Sequence, residues 1–295
     1  MNPTNDPFVE FLRSRRDRAI YLKPYWGNSG DELIWMGDEA LLNELGLNRV
    51  LNPQKADIIM WPGGNPTMWE GNLIGWQDCW KRWPKAEFVV GPATFHIGAQ
   101  PWQTLLKSAP VKIGGLFARD PESYQNLLGL ELPSSVRIGL AHDPAFHLKD
   151  TKWADELREA NSSEYVLASF RADHESAMRL PDSTPLFKKW PFSLAFRYHK
   201  RRCRTKLNQE RLSKVRQLAG SNVPLMEEDA SLMSFHSFVE CVGRAAQVHT
   251  DRLHCMILAV LLGKEVFAYP TAYGKLESVY EHSMKSWAKV NFVGA

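Results

Sequence analysis

Cysteine is scarce in this 295-residue chain: Cys79, Cys203, Cys241 and Cys255 stand far apart, with no Cys-x-x-Cys pair and no histidine at zinc-site spacing. That pattern excludes a disulfide framework, argues against a structural metal, and points to a reduced, cytoplasmic protein. Long apolar runs are missing as well. The longest, Cys255 to Leu262, falls far short of the roughly 20 residues that span a bilayer. Residues Met1 to Arg18 are polar and charged, so no signal peptide is expected. Internal repeats and low-complexity tracts are absent too.

What is present suits a soluble α/β protein. The length is enough for two domains, and 44% hydrophobic with 23% charged residues is ordinary for globular chains. Tryptophan is abundant, at 11 residues, and Trp26, Trp61, Trp69 and Trp76 lie near glycine and proline in apparent loops. Aromatic faces there suit either sugar stacking or simple packing. The net charge of +3 conceals a segment, Ser183 to Gln209, that carries +8 and no acid, so the remainder is net −5.

Apolar runs alternate with helical periodicity and repeatedly stop at turn residues. A strand over Arg18 to Tyr25 leads into Gly27-Asn28-Ser29-Gly30-Asp31 and a helix that reaches Gly46. Ala56 to Trp61 ends in Pro62-Gly63-Gly64-Asn65, and Glu87 to Val90 ends in Gly91-Pro92-Ala93-Thr94. Val111 to Ala118 ends in Arg119-Asp120, and Val136 to Leu140 precedes His142-Asp143-Pro144. Polar and glycine residues at the same end of successive parallel strands converge on one crevice. After a polar crossover, the pattern restarts with a strand over Tyr165 to Phe170 and helices over Asn208 to Ala219 and Phe235 to Ala246. The expected architecture is α/β: two Rossmann-like domains, 1–155 and 156–295, facing across a cleft.

The richest stretch is Gln247 to Gly263, a short strand, a turn at Thr250-Asp251 and an apolar helix. Asp251 is expected to cap that helix, which sets Arg252 and His254 in its first turn. Cationic and hydrogen-bonding side chains beside first-turn amides make a site for a doubly charged anion. A polar cap on an otherwise structural turn is the plainer alternative.

Taken in order, these motifs resemble the polysaccharide pyruvyl transferase family. The resemblance rests on Gly27-Asn28-x-Gly30-Asp31, Gly63-Gly64, Gly91-Pro92, Ala118-Arg119-Asp120-x-x-Ser123 and Asp143-Pro144. It continues through Ser169-x-Arg171-x-Asp173, Asp251-Arg252-Leu253-His254 and Tyr273-Gly274-Lys275, covering about Gly27 to Tyr280. Two departures stand out: Asn65 replaces an expected third glycine, and the basic segment interrupts the second domain.

The resemblance implies a GT-B-like fold and transfer of pyruvate from phosphoenolpyruvate to sugar hydroxyls as a ketal. It also implies that Arg171, Arg252, Leu253 and His254 hold the donor in the second domain. The residue chemistry agrees, because guanidinium forks match a carboxylate or a phosphate bidentately. His254 is the expected acid that protonates carbon 3, while Asp31 or Asp120 from the facing domain orients or deprotonates the attacking hydroxyl. Asn28, Asp31, Gly63, Gly64, Asn65 and Arg119 are the expected acceptor contacts. The scheme needs no metal or cofactor. A nucleotide-sugar glycosyltransferase of the same fold and a non-catalytic saccharide- or lipid-binding module are the competing readings.

Within the basic segment, Leu186 to Lys206 interleaves its cations with Phe187, Trp190, Phe192, Phe196 and Tyr198. That composition suits an anionic membrane surface, where a lipid-linked saccharide acceptor would be presented at the inner face. No nucleic-acid recognition fold accompanies it.

Overall fold

The computed structural model describes residues 6–24, 27–66, 70–96, 100–160, 163–171, 209–220, 223–271 and 274–294. The basic segment 183–209 lies almost wholly outside them. The chain divides into two units, residues 1–156 with 278–288 and residues 157–277 with 289–295. Residues 278–288, which the sequence reading put in the second domain, therefore group with unit 1. Each unit carries one parallel sheet, so the Rossmann-like α/β class is as expected.

In unit 1, β1 (Ile20–Leu22), β2 (Ile58–Trp61), β3 (Glu87–Ala93), β4 (Ile113–Ala118) and β5 (Arg137–Leu140) pair in chain order. Side chains alternate between the sheet's faces, as the two-residue strand period requires. Ile59, Trp61, Phe88, Val90, Leu116 and Ala118 enter one core cluster; Ile58, Met60, Val89 and Phe117 enter the other. Burial on both faces explains why these strands read as unbroken apolar runs.

The tryptophans belong to the first cluster. Trp61 and Trp76 are 3% and 0% exposed, and Trp76 meets Trp102 edge-on at 4.8 Å. They pack the core, so the sugar-stacking expectation is corrected for both; Trp26 and Trp69 lie outside the described residues. The second cluster receives α1 (Pro7–Arg13), a helix hidden from the sequence reading by its flanking charges. Asp6 caps it, and Phe8 and Phe11 pack on Phe117.

α2 (Ser29–Glu44) lies against residues 144–148 so closely that a side chain at Gly37 would stand 2.0 Å from the Pro144 carbonyl oxygen. Beside it, Asp38 is fully buried, with neither carboxylate oxygen in hydrogen-bond geometry with a described residue. Burial foremost, then the charge of Asp143, push its carboxyl well above the usual range, against the opposing Gly63 amide. Burial thus favours the protonated form of this carboxyl.

In unit 2, β6 (Tyr165–Ser169), β7 (Leu225–Glu227), β8 (Ala245–Thr250), β9 (Glu265–Ala268) and β10 (Val290–Phe292) pair in the order β10-β9-β8-β6-β7. The chain moves outward from β6 to β7, then returns to β8 on the other flank of β6. Strand order thus reverses between β6 and β8, and ligands bind outside such a switch point in open parallel sheets. β7 and β10 span three residues each, too few for a period-two pattern to show. Further helices in chain order are α3 (Glu70–Arg82), α4 (Gln100–Lys107), α5 (Pro121–Leu128), α6 (Lys152–Glu159), α7 (residues 209–219), α8 (Phe235–Gly243), α9 (Leu253–Leu261) and α10 (Lys275–Val279), and among the described residues no helix is long and apolar enough to cross a membrane.

Two outcomes follow on α2. Gly37→Ala must displace backbone and is expected to cost about 1–3 kcal/mol, read as a lower denaturation midpoint. Asp38→Asn tests the raised carboxyl. A raised native pKa favours folding below the unfolded carboxyl's pKa, and that contribution is lost as pH climbs towards the native value. The Asn variant should thus match the wild type in melting temperature near pH 3 and exceed it increasingly as the pH rises to 7.

Candidate functional site

The switch point of unit 2 is built from three strand ends and one helix start. Ser169 ends β6, with Phe170 and Arg171 after it; Thr250 ends β8, with Asp251 and Arg252 after it; Asp229 lies just beyond β7. Thr250 locks the first two together, its hydroxyl donating to the Ser169 carbonyl at 2.7 Å while accepting the Arg252 amide at 2.9 Å. The Ala230 amide donates to the Ser169 hydroxyl at 3.1 Å, tying in the third strand end.

α9 (Leu253–Leu261) begins one residue later than the sequence suggested. Arg252, extended at φ −100°, occupies its N-cap position without a side-chain cap. The expectation that Asp251 caps this helix is corrected. Its Oδ1 accepts the Arg171 amide at 2.7 Å, and its Oδ2 lies 3.2 Å from Nη2 of Arg211. A missing cap costs about 1 kcal/mol, whereas each fully buried Leu, Ile or Met contributes about 1.5–3 kcal/mol. With Leu253, Met256, Ile257, Leu258 and Leu261 all buried, α9 stands without one.

Charge is concentrated there. Asp251 is wholly buried and its carboxyl is pushed up to about 6, chiefly by burial, with Arg211, the Arg171 amide and the charges of Arg171 and Arg252 opposing. Arg252, 9% exposed, pairs with Asp229. His254 is half-buried in the first turn of α9, and Leu253 before it is buried. Arg171, Arg252, Leu253 and His254 therefore gather at one edge, the arrangement a compact dianion requires.

Arg211 and Asp229 escaped the sequence reading. Arg211 lies on a helix over residues 209–219, α7, soon after eight cations that make it look like one more solvated charge. Asp229 ends the run Glu227-Glu228-Asp229, which reads as a polar turn.

Unit 1 presents the other expected residues. Asn28 and Asp31 form a capping box at the start of α2: the Asn28 side chain accepts the Gly30 amide at 2.8 Å, and Asp31 accepts the Asn28 amide at 3.0 Å. The Asp31 carboxylate also lies beside Gly64, whose φ of 103° suits glycine. A side chain at Gly63 would strike the Pro92 carbonyl, so this turn is a close backbone crossing.

Arg119 is 1% exposed and fastens four strand ends together. It donates to Asp143 at 2.6 Å, to the Thr94 hydroxyl at 3.0 Å and to the Asn65 side chain at 3.1 Å. Asp120 caps α5 (Pro121–Leu128), accepting the Ser123 amide at 2.8 Å, the Ser123 hydroxyl at 2.9 Å and the Thr94 hydroxyl at 3.0 Å. At 5% exposure and with those donors around it, Asp120 is part of the frame, and Asp31 is the more open carboxylate.

The chain is similar in structure to a functionally uncharacterised protein of Klebsiella pneumoniae subsp. pneumoniae NTUH-K2044, with TM-score 0.64 and 21% identity over 98% of this chain and 97% of that one. That likeness shows the shared fold. More distant are Anabaena HepE in complex with UDP-glucose (TM-score 0.42, 12% identity, 88% and 82% covered) and the UDP-GlcNAc 2-epimerase of Neisseria meningitidis (0.37, 14%, 89% and 77%). No curated protein matches the sequence. The family model for polysaccharide pyruvyl transferases matches residues 11–273. That match covers most of the chain, which belongs to the polysaccharide pyruvyl transferase family.

Proposed function

We propose that the protein transfers pyruvate from phosphoenolpyruvate to hydroxyls of a saccharide. The observation that carries this reading is the gathering of Arg171, Arg252 and His254 where the strand order of unit 2 reverses. Phosphoenolpyruvate presents a carboxylate and a phosphate, and each suits one guanidinium fork. The first-turn amides at Leu253 and His254 add donors at the positive end of α9.

In this scheme a sugar hydroxyl attacks carbon 2 while His254 delivers a proton to carbon 3, and the hydroxyl's proton passes to a carboxylate. A second hydroxyl of the same sugar then displaces phosphate at carbon 2, which closes the ketal and releases inorganic phosphate. Unit 1 is the acceptor side, through Asn28, Asp31, Gly63, Gly64 and Asn65, and Arg119 shapes that edge from within.

The donor is tested by thermal unfolding with phosphoenolpyruvate. A ligand at a hundred times its Kd stabilises the native state by about 2.7 kcal/mol, so the melting temperature should rise, and Arg252→Ala should abolish the rise. A rise with a nucleotide sugar instead would identify a glycosyltransferase. The same reading extends to the segment 183–209, whose +8 charge and interleaved aromatics suit a surface bearing a lipid-linked acceptor. Sedimentation with anionic vesicles but not with neutral ones is the expected result; equal binding to both would dismiss the membrane contact.

A further inference from the structure

Arg211 stands outside every motif that the family resemblance supplied, yet it is 4% exposed at the centre of the unit 2 charge cluster. Its guanidinium lies 5.0 Å from the centroid of the Phe170 ring, and Phe170 packs edge-on against Tyr269 at 4.8 Å. From there Nη2 faces Asp251, whose other oxygen accepts the Arg171 amide. An arginine from α7, a carboxylate at the end of β8 and a backbone amide beyond β6 are thus linked in one line.

We propose that Arg211 is a positioning residue for the donor site: through Asp251 it fixes the turn that carries Arg171 and leaves Arg171 and Arg252 directed at the ligand. The inference rests on the phosphoenolpyruvate reading above. A carboxylate with no solvent access stays ionised only beside a cation. Among the described residues, the cluster sets Arg171, Arg211 and Arg252 against Asp229 and Asp251, a net +1. Without Arg211 that sum is zero. Asp251 then either takes up a proton and becomes a weaker acceptor for the Arg171 amide, or draws the guanidinium of Arg171 or Arg252 to itself. Either change weakens a dianion site without touching the ligand.

Among the described residues, the charged and titratable groups around the pair include Arg171 after β6, Arg252 on the α9 start with Asp229 against it, His254 and Cys255 in the first turn of α9, and Tyr269 beyond Phe170 with His249 at its hydroxyl. Tyr269 is pushed up to about 12 and stays neutral, whereas Asp251, pushed up to about 6, titrates near neutral pH. Its native pKa is raised, and protonation sets in as the pH falls through that value. Removing Arg211 moves that point upward.

The test is the dissociation constant of phosphoenolpyruvate, measured by calorimetry from pH 5 to pH 8.5, for wild type, Arg211→Met, Arg211→Lys and Asp251→Asn. The ligand's own phosphate titrates near pH ~6 as well, but identically for every protein, so the ratio of each variant to wild type is read. Arg211→Met should weaken binding tenfold or more at pH 7 and shift the acid-side loss of affinity to higher pH. Arg211→Lys should restore most of the affinity and return the pH profile towards that of wild type. Asp251→Asn should flatten the ratio's dependence on pH, and these two variants carry the test if Arg211→Met fails to fold. Wild-type binding with an unchanged constant and profile in the Arg211 variants overturns this inference alone. No wild-type binding overturns the donor reading and this inference together.

Discussion

A single buried carboxylate organises the second unit. Asp251 follows β8, has no contact with solvent, and is set among Arg171, Arg211 and Arg252. Such a group is costly to bury and steeply sensitive to geometry, because desolvation and Coulomb attraction are both large and nearly cancel. Once it is in place, the ends of β6 and β8 and the start of α9 have little freedom. Thr250 and Ser169 complete the lock with neutral hydrogen bonds. On the proposed donor reading, the charges that would gather the ligand are the same ones that hold these strand ends together.

Unit 1 uses the same device with the sign reversed. There the buried ion is a cation, Arg119, and the groups around it are Asp143, Thr94 and Asn65, each from a different strand end. Removing one partner of a buried pair typically costs about 3–5 kcal/mol, so this edge resists deformation. The more open polar residues, Asn28 and Asp31, stand at its margin on the start of α2. Rigid interior ions with accessible groups beside them would suit the acceptor role proposed for this unit. Asp38, fully buried near Gly63 with its carboxyl raised by burial, belongs to the same unit 1 frame.

The central strands were legible because each is buried on both faces and so appears as a continuous apolar run closed by a turn. The long helix α2 was legible through its glycine turn and its period, though its cap is Asn28 with Asp31 at the third position, and α9 was legible through its apolar length. What escaped notice was short or disguised. β7 and β10 are three-residue strands stabilised by neighbours, and α1 is a single amphipathic stretch within charged sequence. Trp61 and Trp76 looked like loop residues because glycine and proline lie near them, whereas the sheet and helices around them bury both.

The sequence by itself determined the α/β class, the order of the turn motifs and the residues Arg171, Arg252 and His254, since local patterning and motif spacing are properties of the chain. Tertiary structure alone decided what those motifs do. It turned Asp251 from a helix cap into the partner of Arg211 and the Arg171 amide, drew Arg119 and Asp120 inside, and placed the strand-order reversal between β6 and β8. The physical reason is separation along the chain: Arg211 and Asp251 are 3.2 Å apart in space and joined by no local rule. A charge's role is set by the company that burial gives it, and that company is assembled only when the sheet closes its strands side by side.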